Sequence, residues 1–256
     1  MKERLDVLLV KRGLAASREQ AQRVIRAGWV LIDEVVIDKP GTEITVDASI
    51  RLKEQYEYVS RGGEKLAGAI KTFGVRVTDR VCLDGGISTG GFTGYLLERG
   101  ATRVYGIDVG YGQVAWSLRN DPRLVLRERT NLRYLTPEEL YNPGDPIPDL
   151  AVVDLSFISL TKVLAALWQL LQPPREMLLL VKPQFEVGRD KVGKQGIVRE
   201  QSLQLAAVEQ VSQAAMTYGW QPQGILPAPI TGKKGNQEYW LWLIQGVGIE
   251  PTCQRL

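Results

Sequence analysis

The sequence predicts an α/β protein: a doubly wound, mostly parallel sheet in its larger, carboxy-terminal part, preceded by a small α+β domain. Three observations lead there. From Val81 onward, apolar runs of strand length alternate with helical stretches, the pattern of successive βαβ units. Residues 1–58 read instead as two helices followed by short strands punctuated by turn residues. Finally, 256 residues with 44% hydrophobic and 24% charged side chains suffice for one mid-sized domain and a small one, each with its own core. The boundary is expected between residues 58 and 59, with 59–63 as linker.

In the smaller part, Leu5, Leu8 and Leu9 repeat at helical spacing and Gly13 stops the element. Ser17-Arg-Glu-Gln20 is a capping box that opens a second helix, which Gly28 closes. Ala21, Val24 and Ile25 form its apolar stripe, while Arg18, Gln22 and Arg26, four apart, share another face with Arg23 beside them. Residues 1–32 hold seven cations (Lys2, Arg4, Lys11, Arg12, Arg18, Arg23, Arg26) against three acids, although the whole chain carries only +3. A solvated helix surface and a phosphate-binding face both fit that pattern. The segment from Trp29 to Leu52 then reads as a small meander of short strands.

The larger part reads as strands at about 80–84, 103–108, 123–127, 149–154 and 177–182, with a longer helix at about 199–218 and a final strand pair. Glu238–Gln245 (EYWLWLIQ) is too apolar for an exposed edge and is expected inside the sheet.

Composition removes several functions. The chain has no histidine, so acid–base chemistry falls to Lys, Asp, Glu or Tyr. Cys82 and Cys253 lack metal-ligand spacing, so no metal site and no disulfide framework are expected, and a reducing cytoplasm fits. The first apolar run is broken by charges too soon for a signal segment or membrane span, so no membrane partner is expected.

Chemistry is concentrated at the ends of the predicted strands. VCLD runs into Gly85-Gly-Ile-Ser-Thr-Gly-Gly91 and a helix, the place where doubly wound sheets hold nucleotide-like cofactors. Ser88 stands where a dinucleotide fingerprint needs its second glycine, which disfavours a pyrophosphate. S-adenosylmethionine has no pyrophosphate, and its amino-acid end suits a backbone nest, a hydroxyl and the carboxylate of Asp84. Asp108 ends the next strand, 24 residues after Asp84, where an acid accepts both hydroxyls of an adenosine ribose. It also suits a cap for the following helix. Lys65, Asp154, Lys182 and Glu238 also stand out, because Asp154 and Lys182 end apolar central strands where a charge needs a reason. Such surroundings lower a lysine's pKa toward neutrality and make it a candidate base. Taken singly, each is also consistent with a buried ion pair.

Two resemblances carry the reading further. The pattern SRxxAxxxIxxGxVxI from Ser17 to Ile32, within residues 1–58, resembles the RNA-binding domain of ribosomal protein S4, with Asp33-Glu34 where that family usually has Asn-Gly. YVSRGGEKL (58–66), DGGISTGGFT (84–93), YGIDVGYGQVAWSLRNDPRL (105–124), ERTNLR (128–133), DLSFISL (154–160), VKPQFEVGRDKVGKQGIV (181–198) and GNQEY (235–239) resemble the TlyA family. Members join an S4-like domain to an FtsJ-type methyltransferase domain with a Rossmann-like sheet, and the match runs along nearly the whole chain.

That resemblance implies an S-adenosylmethionine-dependent 2′-O-ribose methyltransferase acting on cytidine in ribosomal RNA or a ribosomal subunit. It maps a Lys-Asp-Lys-Glu tetrad onto Lys65, Asp154, Lys182 and Glu238, with Lys182 as base, Asp154 orienting it, and Lys65 with Glu238 fixing the ribose. The cofactor loop maps onto Gly86, Ser88, Thr89, Gly90, Gly91 and Phe92, the ribose acid onto Asp108, and the adenine neighbourhood onto Asn131. The chain differs from the usual pattern at Gly85, Ile87 and Gly94. RNA contacts are expected from Arg4, Lys11, Arg12, Arg18, Gln22, Arg23, Arg26 and Arg61, and the loop Gln184–Val198, with Arg189, Lys191 and Lys194, is a candidate to close on the target nucleotide. Two other classes compete: a non-catalytic RNA-binding assembly factor, and a membrane-active haemolysin, a label some members carry. A complete tetrad beside a glycine loop opposes the first, and the lack of a signal segment or span opposes the second.

Overall fold

The computed structural model describes residues 2–26, 28–52, 60–232 and 235–246. The chain divides into two compact units, Met1–Tyr56 and Glu57–Leu256. The boundary expected at 58/59, and the first residue of the expected linker, lie outside the described residues.

The smaller unit runs β1 (Lys2–Arg4), α1 (Leu5–Lys11), α2 (Arg18–Arg26), β2 (Val30–Ile32), β3 (Val35–Ile37), β4 (Glu43–Thr45) and β5 (Ile50–Leu52). β1 pairs with β4, and β2 lies between β3 and β5, all antiparallel. Leu5, Leu9, Ala21, Ile25 and Val30 are fully buried between the helices and the three-stranded sheet. The Gln20 N–H donates to Ser17 Oγ at 3.2 Å, and the Gln20 side chain reaches back to the Ala16 N–H at 2.7 Å, one residue earlier than the expected box. Asp33 and Glu34 both adopt positive φ (48° and 66°) and form a two-residue hairpin turn, the geometry that Asn-Gly usually supplies. Two local contacts hold them there. Asp33 accepts the Ser49 N–H, and Glu34 takes the Arg51 guanidinium at 2.6 and 3.0 Å.

The larger unit begins with α3 (Arg61–Phe73), capped by Ser60, and continues β6 (Val81–Gly85), α4 (Gly91–Glu98), β7 (Arg103–Ile107), α5 (Trp116–Arg119), β8 (Leu124–Arg127), α6 (Pro137–Leu140), β9 (Leu150–Val153), α7 (Leu164–Leu170), β10 (Glu176–Val181), α8 (Pro183–Glu186), α9 (Gln201–Met216), β11 (Trp220–Pro227) and β12 (Tyr239–Gln245). Its seven-stranded sheet has the order β11-β12-β10-β9-β6-β7-β8. β6 to β10 are mutually parallel, and β12 runs antiparallel between β10 and β11. Glu238 lies just before β12, whose Tyr239, Trp240, Leu241 and Leu243 are buried, as the apolar run requires. One face of the sheet packs on α3 and α4 through Leu66, Ile70 and Leu96. The other packs on α7 and α9 through Leu164, Leu167, Val208 and Val211.

This order places the site. From β6 the chain steps outward through β7 and β8, then returns to lay β9 and β10 on the other flank. Loops leaving β6 and β9 therefore diverge, opening a crevice at their carboxyl ends. At the opposite edge, Arg80 binds Asp149 and Glu176, which ties β6, β9 and β10 together.

Candidate active site

The loop after β6 can approach β9 only because of its glycines. A Cβ on Gly86, whose φ is +91°, would lie 2.4 Å from the Asp154 carbonyl oxygen, and one on Gly91 would lie 2.2 Å from Ser60 Oγ. Ser88 turns at φ 50° and donates its N–H to Asp108 Oδ2 at 2.8 Å, while Gly110 N–H donates to Asp108 Oδ1 at 2.7 Å. Asp108 thus fastens the loops after β6 and β7, and each of its oxygens keeps acceptor capacity. Beside it lies a cavity of about 380 Å³ lined by Gly86, Ser88, Asp108, Asn131, Leu155 and Phe157, among others.

Asp84 is fully buried. Its Oδ2 accepts the Thr93 N–H at 3.0 Å and hydroxyl at 2.7 Å, whereas its Oδ1 has no hydrogen-bond partner among the described residues. Burial pushes this carboxyl up to about 7, more than the Thr93 bonds pull it down. An orphaned carboxylate oxygen, a glycine cradle closed to any Cβ and an acid beside the cavity fit the ammonium and ribose ends of S-adenosylmethionine. The remaining loop residues shape this region from behind. Thr89 accepts the Ala115 N–H through its carbonyl, a Cβ on Gly90 would meet Leu118, and Phe92 packs on Trp240 with ring centroids 5.5 Å apart.

The tetrad comes from four separate elements. Lys65 lies on α3, Asp154 follows β9, Lys182 follows β10, and Glu238 precedes β12. Lys182 Nζ lies 2.5 Å from Asp154 Oδ1 and donates to Ser156 Oγ at 2.9 Å, while Lys65 Nζ donates to Glu238 Oε2 at 2.6 Å. All four line one cavity of about 480 Å³. Their side chains are 4–27% exposed, so the two ion pairs are largely withdrawn from water and each charge depends on its partner. Asp154, Ser156 and Phe157 line both cavities, making them the partition between the two.

Several residues of this region escaped the sequence reading. Ser156 and Phe157 sit in the DLSF run directly after Asp154, which was the available signal. Phe157 has φ 68°, is 92% exposed, and stands 5.2 Å from the Phe185 ring. Glu186 is buried and binds the Leu160 N–H at 2.9 Å and the Ser159 hydroxyl at 2.5 Å, joining the loops after β9 and β10. Burial raises its pKa. Asn236 accepts the Val198 N–H at 2.9 Å and donates to the Gly196 carbonyl at 2.8 Å, anchoring the end of the Gln184–Val198 loop beside the tetrad.

The basic residues of the smaller unit divide into two groups. Arg4, Arg18 and Gln22 donate to the buried carboxylate of Asp6, which these bonds, Arg4's foremost, hold far below the usual carboxylate range. Lys11 pairs with Glu3, and Arg12 binds the Ala48 and Val46 carbonyls of the turn before β5. Arg23 and Arg26 are exposed and pair with no side chain among the described residues. Arg61 opens α3 and belongs to the larger unit.

The sheet order, glycine loop and adjoining tetrad define a methyltransferase of Rossmann-like type. The FtsJ-like methyltransferase family matches residues 58–245 and the S4 domain matches residues 3–50, so the chain is an FtsJ-like methyltransferase with an S4 domain. Within that class it belongs to the TlyA family. It is 48% identical, over 98% of its length and 96% of the relative's, to the Mycobacterium tuberculosis protein named 16S/23S rRNA (cytidine-2′-O)-methyltransferase TlyA. Hemolysin A of Brachyspira hyodysenteriae is 39% identical over 92% of this chain and 97% of that protein. A solved structure from Streptococcus thermophilus that carries the name hemolysin is 41% identical and superposes with a TM-score of 0.74, covering 98% of this chain and 91% of that one. Among the described residues no helix is long and apolar enough to cross a membrane, and no group of three metal-ligating His, Cys, Asp or Glu side chains occurs.

Proposed function

We propose that the chain methylates a ribose 2′-hydroxyl of ribosomal RNA, at cytidine, with S-adenosylmethionine as donor. The observation that carries this reading is the pair of cavities that share Asp154, Ser156 and Phe157 in their walls: a donor site on one side, a complete Lys-Asp-Lys-Glu tetrad on the other. When bound, S-adenosylmethionine supplies an electrophilic methyl group on a positively charged sulfur. Asp84 and Asp108 hold its ammonium and ribose ends, with Gly86, Ser88 and Asn131 completing the wall.

In the second cavity Lys182 acts as the neutral amine: its lone pair takes the proton from the 2′-hydroxyl, and the ammonium that forms is held by Asp154 and Ser156. Lys65, held by Glu238, positions the ribose and, with Lys182, stabilises the developing alkoxide. The smaller unit grips the RNA through phosphates, which position the substrate without reading bases. A ribosomal substrate places the protein in the cytoplasm. The test is nucleoside mass spectrometry of ribosomal RNA incubated with the purified chain and S-adenosylmethionine. The expected product is 2′-O-methylcytidine; a methyl group confined to bases, or none, overturns the proposal.

A further inference from the structure

We propose that Asp6 is a positioning residue that holds Arg4 and Arg18 together as one clamp for an RNA backbone phosphate; this rests on the RNA reading above. Asp6 is fully buried near the start of α1. Its Oδ1 accepts Arg4 Nε at 3.0 Å, and its Oδ2 accepts Arg4 Nη2 at 3.0 Å, Arg18 Nε at 2.9 Å and Gln22 Nε2 at 2.9 Å. One carboxylate therefore sets a residue before α1 and two residues of α2 side by side.

The inner and outer edges of the guanidiniums have different surroundings. Among the described residues Arg18 commits only its Nε, leaving both terminal nitrogens, while Arg4 leaves Nη1. Their side chains are 55% and 48% exposed over an acid that is 0% exposed, so the edges that meet Asp6 face inward while both side chains stay half open to solvent. Gly41 lies beside the Arg4 guanidinium: a Cβ there would be in ordinary van der Waals contact with it, 3.5 Å from Nη1. Two guanidiniums repel each other, and the shared carboxylate offsets that repulsion. It also fixes two long side chains before any ligand arrives, which lowers the entropy lost on binding. Forked donors aimed outward match the oxygens of a phosphate. Arg26, one turn beyond Gln22 on the same face of α2, continues the row.

Charge and positioning predict opposite signs. Asp6→Asn makes the chain one unit more positive, so a surface attracting RNA by charge alone binds more tightly. A clamp that depends on Asp6 binds more weakly. The experiment titrates ribosomal RNA fragments at several salt concentrations with the full-length wild type, Asp6→Asn and Arg18→Lys, using S-adenosylmethionine affinity as the control for the larger unit. Asp6→Asn is expected to lose about tenfold in affinity and to flatten the dependence of log K on log salt by about 0.9 for each phosphate no longer neutralised. Arg18→Lys keeps the charge at a half-exposed position and should weaken binding too, because an ammonium turned toward Asp6 presents no outward fork. Unchanged or tighter binding by folded Asp6→Asn overturns the proposal. If melting curves show that Asp6→Asn unfolds the smaller unit, Arg18→Lys decides, and wild-type affinity there overturns it. Absence of salt-dependent RNA binding by the wild type overturns the RNA reading along with the clamp.

Discussion

The two cavities at the carboxyl edge of the sheet share three residues, yet their charges are arranged on opposite plans. On the donor side the acids stand without cations among the described residues: Asp108, in the cavity wall, is held by backbone N–H groups, and the fully buried Asp84 next to the glycine loop has one oxygen without a hydrogen-bond partner. On the tetrad side each acid already carries a lysine. Unpaired acids supply affinity for a ligand that brings positive charge. Preformed ion pairs have little net charge to offer, but they fix the position of groups that act on a proton. Binding and turnover should therefore respond to different substitutions.

The largest effect is expected on the tetrad side. Lys182→Ala should lower methyl transfer by about 10²–10⁴-fold, the usual contribution of a proton-transfer group, with S-adenosylmethionine affinity unchanged in calorimetry. Weakened cofactor binding in this variant would break the division between the cavities. On the donor side, Asp108→Ala removes acceptors from two loop N–H groups and from the ribose, and cofactor affinity should fall about 10- to 100-fold. At saturating cofactor, single-turnover rates should stay near those of the wild type.

Asp84 sharpens the comparison through pH. Because burial favours its neutral form, the stability this carboxyl lends the fold is complete below the unfolded carboxylate range and is lost as pH rises through about 7. An ammonium against Oδ1 needs the carboxylate, so binding releases a proton and affinity rises as pH approaches about 7 from below, by up to about tenfold per unit. Calorimetry in buffers of differing ionisation enthalpy measures that release, and Asp84→Asn should abolish it. The smallest effect belongs to the partition. Ser156→Ala takes one acceptor from Lys182 while leaving Asp154 in place, and turnover should fall only about fivefold. A loss as large as that of Lys182→Ala would assign Ser156 a direct part in proton transfer.

The sequence made the frame of this site legible because strand ends in a doubly wound sheet converge by topology. Asp84, Asp108, Asp154 and Lys182 could be placed there from periodicity alone. Lys65 and Glu238 lie 173 positions apart, and their pairing rests on the folding of α3 against the run into β12, so only the family resemblance joined them beforehand. Phe92, which the family resemblance assigns to the cofactor loop, lies in α4, and its ring fills the core against Trp240, since the side a residue faces at the start of a helix depends on tertiary packing. Asp6 was legible only as one acid in a charge count. Its partners on α2 lie 12 and 16 residues away, and no local spacing signals a carboxylate that must choose among several arginines.

The location of the methyl group tests the central claim most directly. RNA labelled by the wild-type chain with radioactive S-adenosylmethionine would be hydrolysed completely in alkali. A methyl on the 2′-oxygen blocks that oxygen from attacking the neighbouring phosphodiester, so the label should be recovered in alkali-resistant dinucleotides. Label released in mononucleotides would place the methyl group on a base and contradict the assignment of the tetrad cavity to a ribose hydroxyl.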